Sequence, residues 1–371
     1  MIKIYLSLIA LFLSVSVFAQ NVDFEEYDLS NGLHVILHQD NSAPLVTTSV
    51  MYHVGAKDEN PERTGFAHFF EHLLFEGTEN IKRGEWFKTV SANGGTNNAN
   101  TTQDRTYYYE VFPSNNLELG LWMESERMLH PIINQIGVDT QNEVVKEEKR
   151  MRYDNSPYGQ WTPQVFKNLF EKHPYRWTTI GSLDHLDAAT LEEFQAFNKK
   201  FYIPNNAVLV VAGDFEKSTA KKLVNDYFGS IPQGKEIERK IITEDPITKE
   251  VEVSFEDPNI QIPAVFTVYR TPAMTTRDAR VLDMISTILS DGKSSRLYKK
   301  LVDDKKKAMQ VAAFNYSLEE YGAYIVLALP LGENTLDDLV NEMDEEIVKI
   351  QTELISDKDL QKLRNKFENQ F

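Results

Sequence analysis

Residues 65–78 of this 371-residue chain read GFAHFFEHLLFEGT, and the apolar spacing over residues 62–76 predicts a helix. On a helix His68 and His72 lie on one face about one turn apart, so two imidazoles can reach a single metal ion. Glu71 lies on the same side. Phenylalanine and leucine surround these three polar residues, and burying them without a shared partner would cost free energy. The segment therefore predicts a metal-binding helix at a buried face.

The residue types at this helix favour zinc chemistry. The chain contains no cysteine, so a metal site must use His, Asp or Glu side chains. Neutral imidazoles suit zinc, and a catalytic zinc takes three protein ligands and a water molecule, whose proton a nearby carboxylate can remove. The order His-x-x-Glu-His is that of the inverted zinc peptidases. The sequence predicts Glu71 as the catalytic base, and His68 and His72 as ligands of one Zn²⁺ per chain.

A third metal ligand is needed, and it should come from a helix packed against the first. The helix predicted over residues 138–153 offers Glu143, Glu147 and Glu148, and composition does not choose among them. For Glu143 and Glu147 a solvated helix face is the better interpretation.

The run from Gly65 to Thr78 resembles the active-site helix of the pitrilysin/insulinase family of zinc metallopeptidases. That family includes insulin-degrading enzyme, the mitochondrial processing peptidase and many bacterial peptidases. The resemblance is nearest to the bacterial and mitochondrial-processing-peptidase-like members. In the family the third zinc ligand is a glutamate on a later helix, at a spacing that implies Glu148. Gln141 stands where the family often has an acidic residue that assists the zinc site, which implies a change in rate or metal affinity.

Residues 98–106, NANTTQDRT, resemble the strand along which substrates of this family add as an extra strand. The resemblance implies substrate contacts at Asn98, Ala99, Asn100 and Thr101.

Other local signals predict a mixture of strands and helices in the first half of the chain. The Asn31-Gly32 turn between alternating apolar residues predicts a β-hairpin. Further strands are predicted at 45–54, 98–102, 106–112 and 207–212, and further helices at 83–91, 117–129, from about 190, and at 217–228.

The order of elements then repeats after residue 250, with strands at 264–269, 309–316 and 322–329 and helices at 279–289, 295–302, 336–350 and 360–371. The repeat predicts an α+β fold of two structurally similar lobes, each a mainly antiparallel sheet packed with helices. The second copy sets Asp283, Ser286 and Thr287 against His68, Glu71 and His72, so the second lobe is expected to be non-catalytic. That copy stops early, so we expect a truncated second lobe and a chain that is a fragment.

The predicted organisation is a signal peptide (1–19), a catalytic lobe (20–234), a linker (235–250) and an incomplete non-catalytic lobe (251–371). Lys3, the apolar run that follows it and the small residues before Gln20 are typical of a cleaved signal peptide. The run is shorter than a membrane span, so export to the periplasm or the extracellular space is expected, without a membrane span after cleavage. The net charge of −17 argues against a nucleic-acid partner.

The predicted function is a zinc-dependent endopeptidase or oligopeptidase that hydrolyses peptides or unfolded polypeptides with metal-activated water. The alternative is a non-catalytic peptide-binding or scaffold subunit of a peptidase complex, although family members of that kind have usually lost the motif. A homodimer, or a heterodimer with a second family subunit, is also consistent with the resemblance.

Overall fold

The computed structural model describes residues 22–368, so the predicted signal peptide lies outside the described residues. The strands of this part of the chain assemble into two sheets, each packed with helices, which confirms the predicted α+β fold of two lobes. None of the helices within residues 22–368 combines the length and apolarity that a membrane crossing requires.

The sheet of the first lobe is built from strands whose alternate side chains are buried against helices. Its strands are β1 (Glu25–Asp28), β2 (His34–Gln39), β3 (Leu45–Tyr52), β4 (Thr96–Thr101), β5 (Thr106–Pro113) and β6 (Ala207–Gly213). The order across the sheet is β1-β2-β6-β3-β5-β4. All neighbours are antiparallel except β2 and β6, which are parallel. The predicted hairpin at Asn31-Gly32 joins β1 to β2, and β4 lies at the opposite edge of the sheet.

Eight α-helices lie in the first part of the described chain, and several of them pack on this sheet. The eight are α1 (Phe66–Leu73), α2 (Trp86–Ala92), α3 (Leu117–Leu129), α4 (Gln135–Lys149), α5 (Trp161–Leu169), α6 (Leu183–Ala188), α7 (Leu191–Phe201) and α8 (Lys217–Phe228). Helix α1 begins later than predicted because Gly65 adopts a left-handed conformation, with φ of 100°. Helix α4 begins earlier, since the side chain of Asn134 accepts a hydrogen bond from the Gly137 N–H at 3.0 Å. Helices α5 and α6 were not predicted.

The second lobe repeats part of the first in strand order. Its strands are β7 (Val265–Pro272), β8 (Ala308–Ser317) and β9 (Tyr321–Pro330), and its helices are α9 (Arg277–Ser290), α10 (Leu336–Thr352) and α11 (Asp357–Glu368). The strands are antiparallel in the order β7-β9-β8. This matches the order β3-β5-β4 in the first lobe, and it confirms the predicted repeat. Residues 232–264, which include the predicted linker, contain no helix or strand.

The two lobes share a buried aromatic contact. Phe166 on α5, and Phe170 and Tyr175 just after it, pack with Ala323 and Ile325 on β9. These aromatic residues belong to the predicted first lobe by sequence, yet their side chains bury against the sheet of the second. The chain from 161 to 175 therefore joins the lobes through packing.

Candidate metal centre

Helix α1 is anchored at its first turn by a buried carboxylate. The side chain of Glu59 accepts hydrogen bonds from the backbone N–H groups of Gly65 at 2.8 Å and Ala67 at 2.9 Å. Burial raises the pKa of Glu59 well above its usual value, and the two N–H groups act in the opposite direction. These N–H groups have no partner within a helix, so the carboxylate fixes where α1 starts.

The other end of α1 is anchored by a buried arginine. Arg127 Nη1 donates a hydrogen bond to the carbonyl of Leu74 at 3.1 Å. The guanidinium of Arg127 lies 4.0 Å from the ring centre of Trp86 and 4.2 Å from that of Tyr108. It also pairs with two fully buried carboxylates, at 3.0 Å from Glu110 and 3.1 Å from Glu124. The hydroxyl of Tyr108 donates to the carbonyl of Phe70 at 2.8 Å. Both ends of the helix are thus held by interior polar groups.

Helices α1 and α4 bring together the three residues predicted to hold a metal. His68 Nε2 lies 3.5 Å from Glu148 Oε2, and His72 Nε2 lies 3.2 Å from the same oxygen. The two imidazole ring centres are 4.9 Å apart. His68 is buried, whereas His72 and Glu148 are partly exposed. Within residues 22–368, these three form the one group of His, Asp and Glu donors close enough to share a metal ion.

This donor set fits a zinc ion. Two nitrogen ligands and one carboxylate oxygen are a known set for catalytic zinc. Ligand atoms about 2.0–2.2 Å from one tetrahedral ion lie about 3.3–3.6 Å apart, which is close to the separations from Glu148 Oε2 to the two imidazoles. Burial acts to raise the pKa of Glu148, but the hydrogen bonds from His68 and His72, together with Arg152, lower it overall. The carboxylate is therefore ionised and able to bind a cation.

The second oxygen of Glu148 is held by an arginine from the next turn. Arg152 Nη2 lies 2.8 Å from Glu148 Oε1. Arg152 belongs to a π-helical turn, Arg150–Asp154, that continues α4. Such turns are frequent at functional sites. Arg152 follows Glu148 by four residues, and its guanidinium lies beside the carboxylate that faces the two histidines.

The other glutamates of α4 point elsewhere, as interpreted from the sequence. Glu143 is exposed and pairs with Lys146 at 3.2 Å, and Glu147 is exposed and pairs with Arg150 at 3.1 Å. Gln141 donates a hydrogen bond to Glu76 at 2.5 Å, just beyond α1. The amide at position 141 therefore links α4 to the end of the motif helix.

The predicted catalytic base contacts the edge strand of the sheet. Thr101 Oγ1, at the end of β4, donates a hydrogen bond to Glu71 Oε2 at 2.7 Å. Glu71 lies on α1 between the two histidines and is partly exposed. Glu71 thus connects the helix of the two candidate histidine ligands to the end of β4.

The four predicted substrate contacts fall on two faces of β4. Exposure alternates along the strand, with Ala99 and Thr101 on the half-buried face towards α1 and Asn98 and Asn100 on the exposed face. Just beyond the strand, Thr102 N–H donates to the carbonyl of Arg105 at 2.9 Å. Antiparallel pairing alternates, so the backbone groups of Ala99 and Thr101 point away from β5. In agreement, Ala99 N–H donates to Asn98 Oδ1 at 2.9 Å rather than to β5.

A cluster of charges around the buried side chains of Lys57 and Asp104 connects the second lobe to this site, and no sequence pattern predicted it. We call Lys57, Asp104, Glu319 and Glu320 the interlobe cluster. The ammonium of Lys57 lies 3.2 Å from Asp104, 2.7 Å from Glu319 and 3.3 Å from Glu320, and its side chain is only 5% exposed. The glutamates form the turn between β8 and β9. Two histidines without ligand spacing in the sequence also contact this turn, His53 with Glu319 at 2.7 Å and His173 with Glu320 at 2.9 Å.

The second copy of the motif carries other contacts. Asn315 donates a hydrogen bond to Asp283 at 3.0 Å. The hydroxyls of Ser286 and Thr287 donate to carbonyls one turn earlier on α9, at 3.0 and 3.3 Å. These side chains are used within the second lobe, and the metal-ligand group of the described residues lies in the first.

Two parts of the chain match models of two domains of one peptidase family. Residues 34–182 match Insulinase (Peptidase family M16), and residues 188–367 match the Peptidase M16 inactive domain. The chain is 33% identical over 312 residues to the zinc protease PqqE of Helicobacter pylori, an alignment that covers 82% of this chain and 69% of that protein. It is 24% identical over 342 residues to the uncharacterized zinc protease YmxG of Bacillus subtilis, covering 91% of this chain and 81% of that one.

Solved structures show the same fold. A crystal structure of a protease from Helicobacter pylori superposes with a TM-score of 0.85 at 30% identity, covering 95% of this chain and 85% of that chain. The first half of the periplasmic protease PqqL from Escherichia coli superposes with a TM-score of 0.75 at 20% identity, covering 94% and 77%. This second likeness concerns the fold alone. By sequence and by structure, the chain belongs to the insulinase (pitrilysin-like) family of peptidases, M16.

Proposed function

We propose that this chain is a zinc-dependent endopeptidase or oligopeptidase that hydrolyses peptide bonds with an activated water molecule. The observation that carries the proposal is the convergence of His68, His72 and Glu148 beside Glu71. The relatives named zinc proteases support both the metal and the reaction class.

In the proposed mechanism His68, His72 and Glu148 would hold one Zn²⁺. A zinc ion bound there supplies Lewis acidity and brings the pKa of a water molecule towards neutrality. Glu71 accepts a proton from the attacking water and passes it to the amide nitrogen as the C–N bond breaks. The fixed ends of α1 keep Glu71 and the two histidines in one orientation during these transfers.

The proposed substrate is a peptide or an unfolded polypeptide bound as an added strand along β4. This strand is the last in the sheet order, and the backbone groups of Ala99 and Thr101 point outward from it. An incoming strand would replace the Asn98 side chain as the partner of the Ala99 N–H. Recognition through backbone groups selects peptides in an extended conformation rather than peptides with one particular side chain. Asn98 and Asn100 would then lie beside the bound peptide on the exposed face.

Export and assembly complete the proposal. The N-terminal sequence favours a cleaved signal peptide, and the related fold of PqqL belongs to a periplasmic protease. We therefore infer a periplasmic or extracellular enzyme. A second copy of this chain or a related subunit would close a chamber around the substrate strand.

The experiment replaces Glu71 with glutamine. Zinc-loaded Glu71→Gln protein should keep its metal and lose peptide cleavage by roughly 10²- to 10⁴-fold, because the amide cannot accept the proton. The matched control is Glu79→Gln, an exposed glutamate beyond α1 whose variant should retain wild-type turnover. Wild-type turnover by zinc-replete Glu71→Gln protein would refute the role of Glu71. Zinc and peptide binding by the wild type without any cleavage would favour the scaffold alternative.

A further inference from the structure

The hydrogen bond between Thr101 and Glu71 indicates a role for Thr101 that the family resemblance did not imply. Thr101 was expected to touch substrate as part of the edge strand. Its hydroxyl instead points to the face of β4 that packs on α1, where it donates a hydrogen bond to Glu71 Oε2 at 2.7 Å. Among the side chains of the described residues, Thr101 is the one that hydrogen-bonds this carboxylate.

Both partners of this hydrogen bond are held independently. Glu71 stands on α1, which Glu59 and Arg127 fix at its two ends. Immediately after Thr101, the carbonyls of Thr102 and Gln103 accept hydrogen bonds from the N–H groups of Ala56 at 3.2 Å and Lys57 at 2.9 Å. The hydroxyl and the carboxylate therefore meet because two anchored backbone segments bring them together.

The hydrogen bond restricts a side chain that is otherwise free to turn. Glutamate has three side-chain torsions, and holding it in one rotamer costs conformational entropy. A donor on Oε2 fixes the plane of the carboxylate and leaves Oε1 available to accept a proton. A base already in the reactive orientation does not have to be ordered at each turnover.

We propose that Thr101 is a positioning residue for Glu71, an inference that rests on the proposed function. Its backbone belongs to the edge where the peptide is proposed to add, while its side chain orients the base.

The test compares Thr101→Val with Thr101→Ser. Valine keeps the shape of threonine but cannot donate, whereas serine keeps the hydroxyl. We expect Thr101→Val to lower kcat by about 10- to 100-fold, with KM within about twofold of wild type, because a hydrogen bond to a charged group is lost. Thr101→Ser should recover most of kcat. The control Thr275→Val makes the same change at an exposed position just before α9 in the second lobe and should match wild type.

Bound zinc and the conformation of Glu71 provide readouts other than turnover. All variants should bind zinc as the wild type does, and crystal structures should show Glu71 in one rotamer in the wild type and in several in Thr101→Val. An unchanged kcat in Thr101→Val, a loss of zinc, or a single unchanged Glu71 rotamer would each overturn the inference. If the wild type binds zinc but cleaves nothing, the proposed function fails, and the rotamer comparison alone decides the role of Thr101.

Discussion

The two lobes use one strand order for different purposes. In the first, β3-β5-β4 is extended by β6, β2 and β1, whereas within residues 22–368 the second lobe has only β7-β9-β8. Helix α1 packs on β4 and β5, and α9 packs on β8, which corresponds to β4. The histidines and glutamate of α1 correspond to Asp283, Ser286 and Thr287 on α9. The side chains of these three residues make hydrogen bonds within the second lobe. The shared strand order therefore does not by itself bring together a set of candidate metal ligands.

Helices α1 and α9 also differ in the groups that hold their ends. Helix α9 begins with an ordinary cap, in which Thr276 Oγ1 accepts from the Ala279 N–H at 3.2 Å. Helix α1 depends on buried Glu59 and on Arg127, which lies among two buried carboxylates. Buried charges are costly to desolvate, and they tolerate the loss of a partner poorly. Helix α1, which carries two of the candidate metal ligands, is therefore fixed in orientation by groups that reduce the tolerance of this lobe to mutation.

The largest loss of stability is expected from Arg127→Met. The change leaves Glu110 and Glu124 buried without their cation, so the free energy of unfolding should fall by about 3–5 kcal/mol. Urea denaturation measures the change. The control is Arg277→Met at the start of α9, where the side chain is 88% exposed and the expected change is within about 0.5 kcal/mol. Equal stability of the two variants would contradict the anchoring role of Arg127.

A smaller effect is expected where the lobes meet, from Lys57→Met. The variant removes the cation of the interlobe cluster, and stability at pH 7 should fall by about 1–3 kcal/mol. Lys222→Met, which removes an exposed pair with Asp226 on α8, should cost less than about 0.5 kcal/mol. Thermal or urea unfolding of both variants gives the comparison.

The pH dependence of stability gives a second test of the interlobe cluster. Burial acts to raise the pKa of Glu319, but its hydrogen bonds with Lys57 and His53 lower it overall. A carboxylate whose pKa is lowered by folding stabilises the protein above its unfolded pKa, about 4.3, and this stabilisation is lost as pH falls through the folded value. The stability difference between wild type and Lys57→Met should therefore shrink between pH 7 and about pH 3. A difference that stays constant over this range would exclude the cluster as its source.

Local sequence patterns predicted the elements that carry the site. The His-x-x-Glu-His spacing, the Asn-Gly hairpin and the repeated element order each depend on neighbours within a few residues or on simple periodicity. Helix α5 was not predicted, although Trp161, Val165 and Leu169 recur at helical spacing. The interlobe cluster was missed because Lys57 meets glutamates more than 200 positions away. Thr101 was assigned to substrate by the family resemblance, which indicates the edge strand but not which helix residue its side chain contacts.

Zinc titration of the wild type, Glu148→Gln and Glu147→Gln tests whether His68, His72 and Glu148 bind one zinc ion. Glu148 and Glu147 are adjacent on α4, but only Glu148 lies beside the two histidines. One tightly bound zinc is expected in the wild type and in Glu147→Gln. In Glu148→Gln, affinity should fall by more than the roughly 10- to 100-fold that loss of an outer partner costs. A wild type that binds no zinc, or equal affinity in the two variants, would contradict this ligand assignment.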